Sequence, residues 1–409
     1  MDGKRIDRRG FLKAAGGAGI GSALGAGKVM GAEEKKEEAK LPQVPRRKLG
    51  KTGLELPVLS QGVEFNAEDN QAVLIKSLEW GVNYWDTAPT YAGGRAELGV
   101  GKFLKEHPER RREIIVSTKA AGSKGSYDEK DPPANVEEAL KESLKRLNTD
   151  YIDIYFSFHG LSDGVHLTDD LRKWAESAKK RGLIRYFGFS THTNMADCLL
   201  AASKVDYIDM IMTAYNFRFV GDAKMQQALD ACSKKGIGLV AMKTQGFGQR
   251  IESEQDKKLV QHFLEQGFTE GQAKLKLVLE DERFCSVCTE MENMGLLTEN
   301  VAAVLDKTRL TDNDRIVFES YAAATCDGYC AGCGGICTKA AGAPVNDVMR
   351  YLMYYNSYGD TERAREQFAK IPQAVRDRLC RIDFSAAQAL CPQRLAIGEL
   401  MAETVRKLS

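Results

Sequence analysis

Tyr84-Trp85-Asp86-Thr87-Ala88-Pro89-Thr90-Tyr91, Ile115-Val116-Ser117-Thr118-Lys119 and Tyr155-Phe156-Ser157-Phe158-His159 decide the fold. Each reads as a β-strand running into its following loop. Each brings a polar group to that point: Asp86 and Tyr91, Lys119, and His159. In a parallel barrel, the C-terminal ends of the strands are where catalytic groups collect. A tyrosine, a lysine, an aspartate and a histidine meeting there can protonate a carbonyl oxygen while a hydride reaches the carbon.

Working outward, strand-like apolar runs fall at residues 56–63, 82–86, 114–119, 152–158, 186–190, 208–214, 238–243 and 284–288. Helical patterns lie between them. In residues 134–147, Val136, Leu140, Leu144 and Leu147 share one face of a helix. Eight strands alternating with helices over about 260 residues suit a (β/α)8 TIM barrel. An open doubly wound sheet is the alternative, but the first crossover has no Gly-x-Gly-x-x-Gly fingerprint.

The chain has 409 residues, more than one average domain, so further units are expected. With 58 basic and 57 acidic residues the net charge is +1, and no basic stripe interleaves with aromatics. Nucleic acid is therefore not an expected partner. The apolar share of 43% is ample for a packed core. Beyond the N-terminus there is no run of about 20 apolar residues to span a bilayer.

Arg8-Arg9-Gly10-Phe11-Leu12-Lys13, followed by a Gly/Ala-rich stretch to Met30, resembles a twin-arginine export signal. Residues 1–32 are read as that signal, and the charged residues 33–45 as a linker. The resemblance implies export in the folded state, to the periplasm or the outer face of the cytoplasmic membrane. Membrane contact is expected only through this segment, if it is left uncleaved.

Residues 46–309 form the expected barrel unit. Arg47-Lys48-Leu49-Gly50-Lys51-Thr52-Gly53-Leu54, Asp86-x4-Tyr91, Glu97-Leu98-Gly99, Lys119, His159, Gly188-Phe189-Ser190, Tyr215-Asn216 and Glu299-Asn300 occur in that order. On these residues the stretch from about 46 to 305 resembles the aldo-keto reductases. The resemblance implies a carbonyl–alcohol oxidoreductase in which Tyr91 is the proton donor or acceptor. Asp86 would hold Lys119, Lys119 would favour the Tyr91 phenolate, and His159 would direct the carbonyl oxygen. It also implies NAD(P)(H) binding, with Ser190, Asn216, Lys243 and Asn300 as the contacts.

The chain departs from the family around that cofactor. Thr191 follows Ser190 where an Asn is common, Met212 stands at a Gln position, and Met242 stands at the stacking aromatic. Glu290 and Leu296 occupy the positions of the cations that grip the NADPH 2′-phosphate, so an NADPH preference is doubtful. His159 also lies six residues after Asp153, where the family has five. A one-residue slip turns a strand side chain to the other face unless a bulge absorbs it.

Six of the ten cysteines are clustered: Cys326, Cys330, Cys333, Cys337, Cys380 and Cys391. Offsets of 0, 4, 7 and 11 from Cys326 give the first four. The same offsets from Cys380 land on Phe384, Ala387 and Cys391, so the run is an internal repeat with its second half depleted. Zinc, a disulfide knot and local ligation by Cys326, Cys330, Cys333 and Cys337 all remain open. Residues 310–409 resemble a mostly helical, ferredoxin-like module with two cluster sites. In such modules the fourth cysteine serves the other cluster. The resemblance therefore implies one [4Fe–4S] cluster on Cys326, Cys330, Cys333 and Cys391. It leaves Cys337 and Cys380 near each other as a disulfide pair. Cys285 and Cys288, on the last strand, are read as core.

The expected partner is a small carbonyl compound or alcohol. The competing reading is a non-catalytic barrel that has lost nicotinamide binding and relays electrons to a protein partner.

Overall fold

The computed structural model describes residues 43–120, 132–246, 254–325, 330, 332, 334–391 and 393–409. The twin-arginine stretch lies outside these residues, as do Cys326 and Cys333.

A short antiparallel hairpin comes first, β1 (Arg46–Lys48) with β2 (Glu55–Pro57). Eight parallel strands follow: β3 (Leu59–Gly62), β4 (Tyr84–Asp86), β5 (Ile115–Lys119), β6 (Ile152–Phe156), β7 (Ile184–Thr191), β8 (Met210–Ala214), β9 (Gly238–Met242) and β10 (Phe284–Glu290). They pair in chain order, and β10 pairs back onto β3 with Val287 opposite Leu59, so the sheet closes. Each strand expected from the sequence is present.

Strand alternation sorts the side chains into two layers. Tyr84, Ile115, Ile154, Phe156, Met210, Met212 and Val240 point inward and form an interior cluster. Trp85, Val116, Tyr155, Phe187, Phe189, Ile211 and Leu239 point outward against the helices. The hairpin sits on this interior, because Leu49 and Leu56 join the inward cluster. Gly50 lets the hairpin close: φ is +49°, and a Cβ would meet Gly236 O at 2.3 Å. In β10 the register shifts between Phe284 and Ser286, and both Cys285 and Cys288 pack in the inner cluster.

The Glu97-Leu98-Gly99 motif has a packing reason. Glu97 is fully buried, and its carboxylate accepts from Arg146 Nε at 2.5 Å and from Thr118 Oγ1 at 2.6 Å. This ties the helix Arg95–Glu106 to the helix Pro132–Arg146 and to β5. Two residues on, a Cβ at Gly99 would meet Ala67 C at 2.3 Å, so only glycine lets the helix approach that backbone.

The helix Asp312–Ala324, assigned to the C-terminal unit from sequence, packs on the barrel side. Its Phe318 and Tyr321 cluster with Phe217, Leu259, Phe263 and Phe268. A separate core begins at Cys337. It is built by the helices Gly334–Ala341, Val345–Met353, Thr361–Ala369, Ser385–Ala389 and Ile397–Leu408. Phe384 and Ala387 are buried in it, at the two repeat positions that lack cysteine.

Gly188 lies where β7 meets β8, and a Cβ there would reach Met210 O at 1.9 Å. Gly188→Ala is expected to cost about 2 kcal/mol, because the strands must separate to admit the methyl group. Urea denaturation checks this, and an unchanged midpoint would show that the strands have room.

Candidate active site

The C-terminal ends of β4 and β5 meet inside the barrel, with Asp86 opposite Ser117 and Lys119 two residues beyond it. Lys119 is 1% exposed, and its Nζ donates to Asp86 Oδ2 at 2.6 Å and to Thr87 O at 2.9 Å. The second Asp86 oxygen accepts from Ser117 Oγ at 2.6 Å, and that hydroxyl lies 3.0 Å from Tyr84 OH. Both ions are thus enclosed and hydrogen-bonded, as a buried pair requires.

Tyr91 follows β4 at the start of a tight turn, Tyr91–Gly94. Ala92, Gly93 and Gly94 all take positive φ there, at +47°, +64° and +93°. The two glycines make this reversal accessible, and the helix Arg95–Glu106 starts directly after the turn. The Tyr91 ring meets the His159 ring edge-to-face, with centroids 5.2 Å apart, and Lys119 Nζ lies 4.8 Å from the Tyr91 centroid.

The displaced spacing of His159 is resolved by the end of the strand. β6 stops at Phe156, and the chain bends at Ser157, so strict alternation no longer governs residue 159. Ser190 Oγ donates to His159 O at 2.8 Å and fixes that loop.

Burial first, then the charges of Glu64 and Asp86, push the Tyr91 phenol well above its ordinary value, and Arg363 opposes. The Lys119 ammonium faces the ring while it is engaged by Asp86 and Thr87. His159 is held well below its ordinary value, first by burial and then by Lys119, Arg363, Lys243 and Arg350. At neutral pH the pair is therefore a neutral phenol beside a neutral imidazole. That arrangement can donate a proton and orient an oxygen.

The expected cofactor contacts divide. Ser190 and Lys243 lie at the mouth. Asn216 serves the local backbone: its side chain caps the turn Phe217–Phe219 through Arg218 N at 3.0 Å and donates to Lys243 O at 3.2 Å. Asn300 donates to Leu296 O at 2.9 Å, one turn back on its own helix. Met212 and Met242 give the inner wall a thioether surface.

The sequence reading missed the part of the site that comes from the C-terminal unit. Arg350 donates to Thr193 Oγ1 at 2.8 Å, and Arg363 forms an ion pair with Glu64. Asn194 N donates to Gly332 O at 2.8 Å, and Gly332 sits against the His192 carbonyl. The ring of His192 lies over Gly160, beside His159. Lys243, at φ +57°, is brought down to about 8, first by burial and then by Arg350. One signal was available for part of this. Thr191 ends β7 at the catalytic side of the barrel, and His192 and Thr193 follow it there. Nothing local marks Arg350 or Arg363.

Of the expected cluster ligands, Cys330 and Cys391 are described. Both are half-buried thiols packed against the C-terminal core, which also holds buried Cys337. The Cys337–Cys380 pairing is not made. Both are free thiols, and Cys380 is exposed while Cys337 lies within the core. Burial raises the Cys337 thiol, and the charge of Cys391 adds to this. Among the described residues no group of three or more His, Cys, Asp or Glu side chains forms a metal site.

An eight-stranded parallel barrel, with a buried Lys–Asp pair under a Tyr–His contact, is the class that fold and site define. The chain belongs to the aldo/keto reductase family, whose model matches residues 58–305. It is 40% identical over 157 residues to the uncharacterized oxidoreductase YqkF of Bacillus subtilis, covering 36% of this chain and 48% of that protein. It is 25% identical to L-galactose dehydrogenase of Arabidopsis thaliana, covering 65% of this chain and 90% of the relative. The aldo-keto reductase AKR11C1 from Bacillus halodurans, solved in its holo form, is 25% identical. It superposes with a TM-score of 0.56 over 68% of this chain and 96% of its own.

An ultraviolet difference titration of the protein against Tyr91→Phe isolates the Tyr91 phenol. It is expected to ionise above the ordinary value of about 10. Ionisation at or below that value would mean that the Lys119 ammonium outweighs burial.

Proposed function

We propose that the chain interconverts a carbonyl compound and an alcohol, with Tyr91 as the proton donor and acceptor. The observation that carries this is the edge-to-face contact of Tyr91 with His159 above the buried Lys119–Asp86 pair. In reduction, the neutral Tyr91 hydroxyl gives its proton to the carbonyl oxygen as negative charge develops there. Neutral His159 orients that oxygen. The Lys119 ammonium over the ring then offsets the charge left on the phenolate, and Asp86 keeps the ammonium in place. Oxidation runs the same path backwards.

A nicotinamide cofactor, when bound, supplies or accepts the hydride. Ser190, which retains acceptor lone pairs, and Lys243, a cation at the mouth, are the residues that would hold it. Glu290 stands where a cation would grip a 2′-phosphate and offers no positive charge. Burial first, then Glu64 and Glu292, push its carboxyl up to about 7, against the charge of Arg363.

A [4Fe–4S] cluster held by Cys326, Cys330, Cys333 and Cys391 would add one-electron transfer. Thiol donors suit that group, and Cys330 and Cys391 both pack against the one apolar core. Export by the twin-arginine route, which accepts folded cargo, accords with loading such a cluster before transit. The contact of Gly332 with His192 favours a second reading, in which the cysteine loop passes electrons at the barrel mouth.

Tyr91→Phe should lower kcat by at least about 100-fold with KM little changed. Steady-state kinetics with NADH and NADPH, run anaerobically on cluster-loaded protein, tests this. Unchanged turnover, or no saturable binding of either nucleotide, would transfer the case to the electron-relay reading. The cluster assignment has its own test. Anaerobic reconstitution should give roughly four iron and four sulfide per chain, and Cys391→Ser should lose them. Retention by Cys391→Ser with loss by Cys337→Ser would place the ligation in the local run instead.

A further inference from the structure

The C-terminal unit brings two arginines to the barrel mouth, and they differ in one respect. Arg363 is closed by Glu64. Arg350 is held only by a neutral hydroxyl, Thr193 Oγ1, and among the described residues no carboxylate lies within ion-pair distance of it. A guanidinium has five donors, and one hydroxyl leaves most of them for a ligand.

A second observation points to the same place. His192 Nδ1 is buried and has no hydrogen-bond partner. A buried orphan of this kind calls for a group to complete it. His192 precedes Thr193, its ring lies over Gly160, and Gly160 follows His159. Arg350 and His192 thus sit on the flank of the Tyr91–His159 pair. The local field agrees: the charge of Arg350 helps to lower His192, His159 and Lys243 together. An anion placed among them would relieve that repulsion.

We propose that Arg350 and His192 form an oxyanion-binding subsite beside Tyr91 and His159, and that the carbonyl substrate carries a carboxylate or phosphate which docks there. The substrate-recognising cation is thus supplied by the C-terminal unit, not by the barrel. This rests on the carbonyl–alcohol reading for the word substrate, but the anion subsite stands or falls separately.

The test is calorimetric titration of the full, cluster-loaded chain with benzoate, phenyl phosphate, benzyl alcohol and ADP. Either aromatic anion should bind at least about tenfold more tightly than benzyl alcohol, and Arg350→Gln should erase the difference. The tighter of the two tells carboxylate from phosphate. Thr193→Val, which removes the anchor of Arg350 and keeps its charge, should weaken the anion by a few-fold and serves if Arg350→Gln fails to fold. Equal binding of the alcohol, or no change in either variant, overturns the subsite. So does a result in which only ADP depends on Arg350, because the guanidinium would then serve a dinucleotide. A turnover arm compares 4-carboxybenzaldehyde with benzaldehyde. Arg350-dependent anion binding without turnover of either aldehyde sustains the subsite and rejects the carbonyl reading.

Discussion

The buried ion pair between Lys119 and Asp86 is the constraint on which the rest of the site depends. Two charges inside a barrel are costly to desolvate, and such a pair is weak evidence for stability in itself. Its consequence here is positional. Asp86 holds Lys119 on one oxygen and Ser117 on the other, and Tyr84 lies within hydrogen-bond distance of Ser117. The ends of β4 and β5 are thereby fixed in register, and Tyr91 emerges from β4 at a defined height above the ammonium.

Above this pair, burial is the largest influence on the two rings. A phenol pushed up and an imidazole pushed down are both neutral over the ordinary range. Their protons are then available to be given or directed, and no net charge is buried at the point of reaction. The positive charges stand around this pair: Lys119 below, Lys243 at the end of β9, and Arg350 and Arg363 from the C-terminal unit. That arrangement suits a reaction in which an oxygen becomes negative.

The two units of the chain share one site. Gly332, Arg350 and Arg363 touch the loops after β3 and β7, so the cysteine-bearing module is part of the barrel mouth. The helix Asp312–Ala324 belongs to the barrel by packing, through Phe318 and Tyr321, although it follows the family-matched region in sequence. A module joined in this way can influence substrate recognition directly.

The sequence by itself determined the barrel and the strand ends at which Asp86, Tyr91, Lys119 and His159 stand. Alternation of apolar residues is a local property, and the polar groups lie within a few residues of the strands that carry them. The mostly helical character expected of the C-terminal unit is also present, in helices such as Val345–Met353 and Thr361–Ala369. Tertiary structure alone decided the rest. How strongly the Tyr91 phenol is held neutral depends on its burial and on the charges of Glu64 and Asp86 around it. Whether Cys337 can meet Cys380 depends on how short helices pack, and they leave the first in the core and the second exposed. Arg350 is 157 positions from Thr193, and Arg363 is 299 from Glu64. Such meetings are fixed by the docking of two cores, and no local spacing in the chain encodes them.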